Sequence, residues 1–168
     1  GDEAGNFRPD SGVTWAELLT VLWQVAGAPQ LSGPWDGAWY AGGANFALSA
    51  GLVREDELLP QQDMTREDVA LVLYRFALTL GAEALAEEPE ITDGENPLTV
   101  QGQAPVLAFD HVTFAYPDGG ELSGEGAAAV AWALEQGILA GQPDGRLDPE
   151  GAVTRGELSV MLANFLYA

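Results

Sequence analysis

The feature that most constrains this chain is a threonine-led signature that occurs three times. The first copy reads Phe7-Arg8-Pro9, then, after four residues, Val13-Thr14-Trp15-Ala16-Glu17. The second reads Leu58-Leu59-Pro60, then Met64-Thr65-Arg66-Glu67-Asp68. The third reads Leu147-Asp148-Pro149, then Val153-Thr154-Arg155-Gly156-Glu157. Each Thr has an apolar residue just before it, a Pro five before, an apolar residue seven before, and an acid three after. Thr followed three residues later by Glu or Asp is a helix-start signature. The hydroxyl accepts a first-turn N–H, and the acid reaches back to the N-cap N–H and faces the positive end of the helix dipole. Asp68 is shorter than Glu, so the middle box is expected to be the weakest.

The residues after each box repeat with a helical period. Leu18, Leu22 and Val25 form one stripe; Val69, Leu73 and Phe76 a second; Leu158, Leu162 and Phe165 a third. This is the i, i+4, i+7 spacing of a buried helix face. Gly27 and Gly81 are suited to end the first two helices, and the third runs to the C-terminus. A second kind of helix precedes two of the loops: Trp39 to Ala50, ending at Gly51-Leu52-Val53, and Gly124 to Gln136, ending at Gly137-Ile138-Leu139. Five residues before each glycine stand Phe46 and Trp132, both followed by Ala and Leu. The repeating unit is therefore helix, glycine turn, Pro-containing loop, capping box, helix. Only six residues precede Phe7, so the first unit lacks its upstream helix.

The expected architecture is one mainly α domain over 1–168, with a half repeat at 1–29, a second repeat at 30–81, an insertion at 82–108 and a third repeat at 109–168. The insertion accounts for most of the longer second Thr-to-Thr interval. Ala82 to Asn96 is acidic and loop-like. Leu98 to Val112 alternates and contains Gly102 and Pro105, which reads either as a short β-hairpin or as part of a tether.

Composition narrows the function. The chain has 168 residues, 26 acids and 6 basic residues, for a formal charge of −20. All six basic residues are Arg. Such a surface repels nucleic acid and anionic membranes, so neither is an expected partner. With no cysteine, disulfides, thiolate metal sites and cysteine nucleophiles are excluded. No segment reaches the roughly 18 apolar residues of a membrane span. The opening Gly1-Asp2-Glu3-Ala4 lacks the basic region and apolar run of a secretory signal and reads as the start of a mature or excised fragment. The single histidine, His111, argues against catalytic triads and histidine-rich metal sites. Pro143-Asp144-Gly145-Arg146-Leu147-Asp148 offers oxygen ligands but not EF-hand spacing, and reads better as a turn than as a calcium loop. A two-carboxylate hydrolase is a remote alternative, because the acids that can be placed recur on caps and loops.

The residues together resemble S-layer homology repeats. The strongest resemblance runs from Trp132-Ala133-Leu134 through Gly137-Ile138-Leu139-Ala140-Gly141, Pro143-Asp144-Gly145 and Leu147-Asp148-Pro149 to Thr154-Arg155-Gly156-Glu157. Trp39-Tyr40-Ala41 is similar to the family's Trp-Tyr opening of the upstream helix, and Phe109-Asp110 to its Phe-x-Asp-Val start. The resemblance implies a pseudo-threefold array of helix-loop-helix repeats around a central helix bundle, on the surface of a bacterial cell. It implies a non-catalytic anchor without cofactor, whose inter-repeat grooves hold a peptidoglycan-linked anionic polysaccharide, often pyruvylated. The family's motif Arg carries over to Arg66 and Arg155, with Thr65, Thr154, Trp39, Asp110, Gly141 and Gly145 as further site residues. The first copy has Trp15 in place of Arg; it is either a sugar-stacking ring or simply core.

Arg suits this role, since its rigid fork matches a carboxylate bidentately and a helix N-terminus favours anions. The competing reading is that Arg66 and Arg155 pair with neighbouring acids and hold the repeats together. The chain is then a degenerate structural or protein-interaction domain that packs on other domains of a larger surface protein.

Overall fold

A computed structural model describes residues 6–86, 116–122 and 124–167, with side chains as far as residue 81 in the first stretch. The described residues are mainly helical: α1 (Trp15–Val25), α2 (Ala41–Ser49), α3 (Arg66–Ala86), α4 (Gly124–Glu135) and α5 (Arg155–Leu166), with a short 3-10 turn at Gly119–Glu121. The expected hairpin at Leu98–Val112, along with Phe109, Asp110 and His111, lies outside them.

All three boxes close. In α1, Thr14 N–H donates to Glu17 Oε2 at 3.1 Å and Glu17 N–H to Thr14 Oγ1 at 3.4 Å. In α5 the same bonds are 2.8 and 3.2 Å. In α3, Thr65 N–H reaches Asp68 Oδ2 at 2.9 Å and Asp68 N–H reaches Thr65 Oγ1 at 3.1 Å. The shorter Asp68 therefore does not loosen the middle box; it closes at distances like those of the other two.

The turns also follow one pattern. Gly27, Gly51 and Gly137 adopt φ of +83°, +70° and +68°, the left-handed region where glycine carries no Cβ penalty. Ala28, Leu52 and Ile138 N–H each donate back to Trp23, Ala47 and Ala133 carbonyls at 2.8 Å. Gly81 does not behave this way. It stays helical and α3 continues to Ala86, because Ala82-Glu83-Ala84-Leu85-Ala86 are strong helix formers and offset the roughly 1 kcal/mol cost of one glycine. The expected insertion thus begins within a helix.

The segments before the boxes join in a closed ring. Val13 N–H donates to the Val153 carbonyl at 3.0 Å, Val153 N–H to Met64 at 3.0 Å, and Met64 N–H to Val13 at 2.8 Å. These residues are the apolar ones that immediately precede each Thr, and all three are fully buried. Around the ring, each helix start donates to another segment's loop. Trp15 and Ala16 N–H donate to Gln62 and Pro60 carbonyls, Arg66 and Glu67 to Gly151 and Pro149, and Arg155 and Gly156 to Ser11 and Pro9. A helix leaves its first four N–H groups without intrahelical partners. Here the box acid, the Thr hydroxyl and the neighbouring loop share them out. The Pro five before each Thr supplies the acceptor for the second helical residue of a different segment.

The core is continuous around this ring. Leu18, Leu22, Val69, Leu73, Phe76 and Leu158 are buried as their periodicity requires, whereas Val25 is exposed, since it lies in the last turn of α1 beyond the core. Phe46, Phe76, Phe165, Trp132 and Tyr74 form a chain of ring contacts with centroids 5.6–6.3 Å apart. α1 packs along α2, and α3 along α4. Replacing Thr154 with Ala removes one cap and is expected to cost about 1 kcal/mol, lowering Tm by roughly 2–4 °C for a domain of this size, as read by thermal unfolding.

Candidate functional site

The residue after each box Thr occupies the first position of its helix, and the ring sets all three at boundaries between segments. They are Trp15, Arg66 and Arg155. Arg66 is 5% exposed. Its Nε donates to the Leu147 carbonyl at 2.8 Å and its Nη2 to the Ala140 carbonyl, both in the loop between α4 and α5. Its Nη1 lies 3.9 Å from Glu157 Oε1. Burial holds the guanidinium below its ordinary pKa, against the attraction of Glu157, Asp148 and Asp118. Beside it opens a cleft of about 260 Å³ lined by Arg66, Gly137–Gln142, Glu157, Val160, Met161 and Asn164.

Arg155 is more open, with 22% of its side chain exposed. Its Nη1 donates to Glu17 Oε1 at 2.9 Å, and its guanidinium carbon stands 5.6 Å from the Phe7 ring centre, a cation–π contact. A cleft of about 140 Å³ adjoins it, with Phe7, Val13, Val21, Leu158 and Leu162 among its walls. The two arginines thus share a scheme: each reaches the box acid of the helix it faces, Glu157 for Arg66 and Glu17 for Arg155. The third position departs from it. Trp15 is 6% exposed and belongs to the core; a sugar could not stack on its ring without displacing its neighbours.

The other expected residues are dispersed. Thr65 and Thr154 commit their hydroxyls to the caps. Gly141 lines the Arg66 cleft, and a Cβ there would meet the Tyr116 ring at 2.6 Å. Gly145, at φ +84°, forms a tight turn in which Gln142 N–H donates to the Arg146 carbonyl at 2.7 Å, the turn reading of Pro143-Asp144-Gly145. Trp39 is 68% exposed and meets Tyr40 edge-on, and it lines neither arginine cleft.

Two side chains matter that sequence reasoning passed over. Asp118 is 3% exposed and braces the loop that holds Arg66. It accepts Leu147 N–H at 2.9 Å, Asp148 N–H at 2.8 Å and Arg146 Nε at 3.5 Å. Burial alone would raise its carboxyl; the bonds from Leu147 and Asp148 outweigh that, and the pKa lies below the ordinary value. The sequence carries a signal for it: Tyr116-Pro117-Asp118 is aromatic, any residue, Asp, the spacing that Phe109-Asp110 matches only imperfectly. The second is Arg75, inside the apolar run of α3. It donates to Glu125 (3.0 and 2.7 Å), Glu57 (2.8 and 3.4 Å) and the Leu52 carbonyl (3.0 Å). Hydrogen bonds from Arg75 hold both acids below their ordinary value, and Arg75 is raised in turn, chiefly by Glu125.

The family model for the S-layer homology domain matches residues 115–159, which include Gly137–Gln142 and Glu157 of the Arg66 cleft but not Arg66 itself. That segment is therefore similar to an S-layer homology domain. Cell surface glycoprotein 1 of Acetivibrio thermocellus is 27% identical over 173 residues, an alignment that covers 95% of this chain and 7% of that protein. The chain thus spans a small fraction of its relative's length. Among the described residues no helix is long and apolar enough to cross a membrane.

The Arg75 cluster gives a pH dependence. Glu57 and Glu125 have depressed pKa values in the folded state, so their contribution is complete above the ordinary value of 4.5 and is lost as pH falls below it. Arg75→Met is expected to cost roughly 2 kcal/mol near neutral pH, less than for a fully buried pair because both acids reach solvent. The gap in urea-unfolding stability between the two proteins should close as pH drops below 4.5. A gap independent of pH would show that Arg75 acts through packing alone.

Proposed function

We propose that the chain is a non-catalytic cell-wall attachment module that binds an anionic polysaccharide linked to peptidoglycan, its units arranged as a pseudo-threefold array. In this reading 1–29 is a half repeat, 30–81 a second repeat whose helix runs on to Ala86, 82–108 an insertion, and 109–168 a third repeat. The working compartment is the bacterial cell wall or S-layer. One observation carries the reading: Arg66 and Arg155 sit at equivalent helix starts, each beside a cleft between two segments. A guanidinium at a helix N-terminus is suited to a sugar-borne carboxylate, such as a pyruvyl ketal. Gly141 lines the Arg66 cleft and lets the Tyr116 ring pack against its backbone.

A second reading has its own support. Arg66 already donates to two carbonyls and Arg155 to Glu17, which favours a degenerate interaction domain that packs within a larger surface protein. Retention on purified cell-wall sacculi separates the two. The attachment reading expects retention of the wild type and about tenfold weaker retention of Arg155→Gln and Arg66→Lys, with circular dichroism unchanged; one lost charge-assisted bond is worth roughly 1.5–3 kcal/mol. Retention should fall only modestly with salt, because one or two charges are involved. A wild type that sacculi never retain, or variants retained as well as it, would leave the packing reading.

A further inference from the structure

We infer, resting on the attachment reading above, that Asn164 is a specificity residue of the Arg66 cleft. Its carboxamide oxygen takes a hydroxyl of the incoming sugar, so the cleft selects a hydroxylated ring that carries an anionic group and turns away a bare anion.

Asn164 stands ten residues after Thr154 in α5, as Arg75 stands ten after Thr65 in α3. Both tie their helix to the glycine turn that ends the helix before it. Arg75 Nη1 donates to the Leu52 carbonyl at 3.0 Å, beside Gly51, and Asn164 Nδ2 donates to the Gly137 carbonyl at 2.8 Å. Only the NH2 of a carboxamide can meet a carbonyl, so this bond fixes which way the group is turned. It leaves Oδ1 as a spare acceptor, which takes no hydrogen bond from the described residues. Arg75 has donors alone and no such spare acceptor. The Asn164 side chain is exposed, and it lines the same cleft as Arg66.

The guanidinium in that cleft has one end left over. Arg66 Nε and Nη2 are spent on the Leu147 and Ala140 carbonyls, while Nη1 makes no hydrogen bond, although the residue is 5% exposed. Glu157 Oε1 lies 3.9 Å from Nη1, beyond hydrogen-bond reach. That oxygen is unpartnered as well, because Oε2 takes both the N–H and the hydroxyl of Thr154, at 2.8 and 2.9 Å. A guanidinium donor therefore shares the cleft with two open side-chain acceptors, Glu157 Oε1 and Asn164 Oδ1. A bare phosphate or acetate would satisfy Nη1, bring no donor to either acceptor, and be repelled by Glu157. A sugar bearing an anionic group brings hydroxyl donors for both. Sites built to hydrogen-bond a hydroxyl reject ligands that lack it, since their own polar groups are then left unpaired.

Asn164→Arg separates a reader of hydroxyls from a pin for the glycine turn. A guanidinium there keeps a donor for the Gly137 carbonyl, as Arg75 does for Leu52, adds positive charge and removes the acceptor. Retention on purified cell-wall sacculi is expected to fall about fivefold with Tm unchanged, and Asn164→Leu to fall at least as far. A cleft that read charge alone would hold Asn164→Arg more tightly than the wild type, most of all at low salt. Equal or tighter retention of Asn164→Arg overturns the inference and leaves attachment standing; loss in Asn164→Leu alone does the same and makes the residue only a pin. Sodium phosphate is the second probe. At equal ionic strength it should release no more wild-type protein from sacculi than sodium chloride does, and selective release by phosphate overturns the inference. A wild type that sacculi never retain removes the attachment reading, and this one with it.

Discussion

Everything in this molecule hangs on the three backbone hydrogen bonds among Val13, Met64 and Val153. Buried peptide groups must be paired, and each of these residues places its N–H on one neighbour and accepts on its carbonyl from the other. The bonds lie at the centre of the core, so water does not compete for them. Since each residue lies directly before a helix cap, the ring fixes the origins of α1, α3 and α5 relative to one another. The first-turn amides of those helices then find carbonyls in adjoining loops rather than in solvent. Side chains of any bulk at positions 13, 64 and 153 fill the space around the ring, and this is why an apolar residue precedes each box threonine.

The same geometry couples the caps to the charges. A box acid has two oxygens. In Glu157 and Glu17, one accepts from the Thr backbone and the other faces an arginine of another segment. A glutamate is long enough for both tasks. The middle box has aspartate, and Asp68 closes its own cap as well as the glutamates do. At that boundary the facing residue is Trp15, which needs no anion. The short acid and the missing arginine are thus two sides of one substitution: where there is no guanidinium to meet, the extra methylene is dispensable.

Most of the helical framework was legible because its signals are local. Capping boxes, glycine turns and i, i+4, i+7 stripes act within a few residues, and the structure has all three boxes, the turns at Gly27, Gly51 and Gly137, and most of the stripes where expected. The misreadings came where distant residues decide. Gly81 looked like a terminator, but the five residues after it favour helix. For Trp15 the sequence left two readings open, sugar-stacking ring or core, and the packing has it in the core. Asp118 and Arg75 draw their importance from Leu147, Asp148, Glu57 and Glu125, which lie 18 to 50 residues away along the chain, and no periodicity announces such partners.

The excess of acid explains why the two arginine clefts are not alike. In a chain of net charge −20, a free guanidinium collapses onto the nearest carboxylate unless something restrains one of them. Arg155 has done so, with Glu17 at 2.9 Å. Arg66 has not: the carbonyls of Ala140 and Leu147 hold it in place, the caps of α5 hold Glu157, and the two remain 3.9 Å apart. Backbone carbonyls fix a guanidinium without neutralising it, whereas a carboxylate does both. A buried arginine pinned by carbonyls therefore keeps more of its positive field than a half-buried one locked to an acid. The hold on Arg66 traces to one loop, braced by Asp118, whose Leu147 and Ala140 carbonyls take the guanidinium.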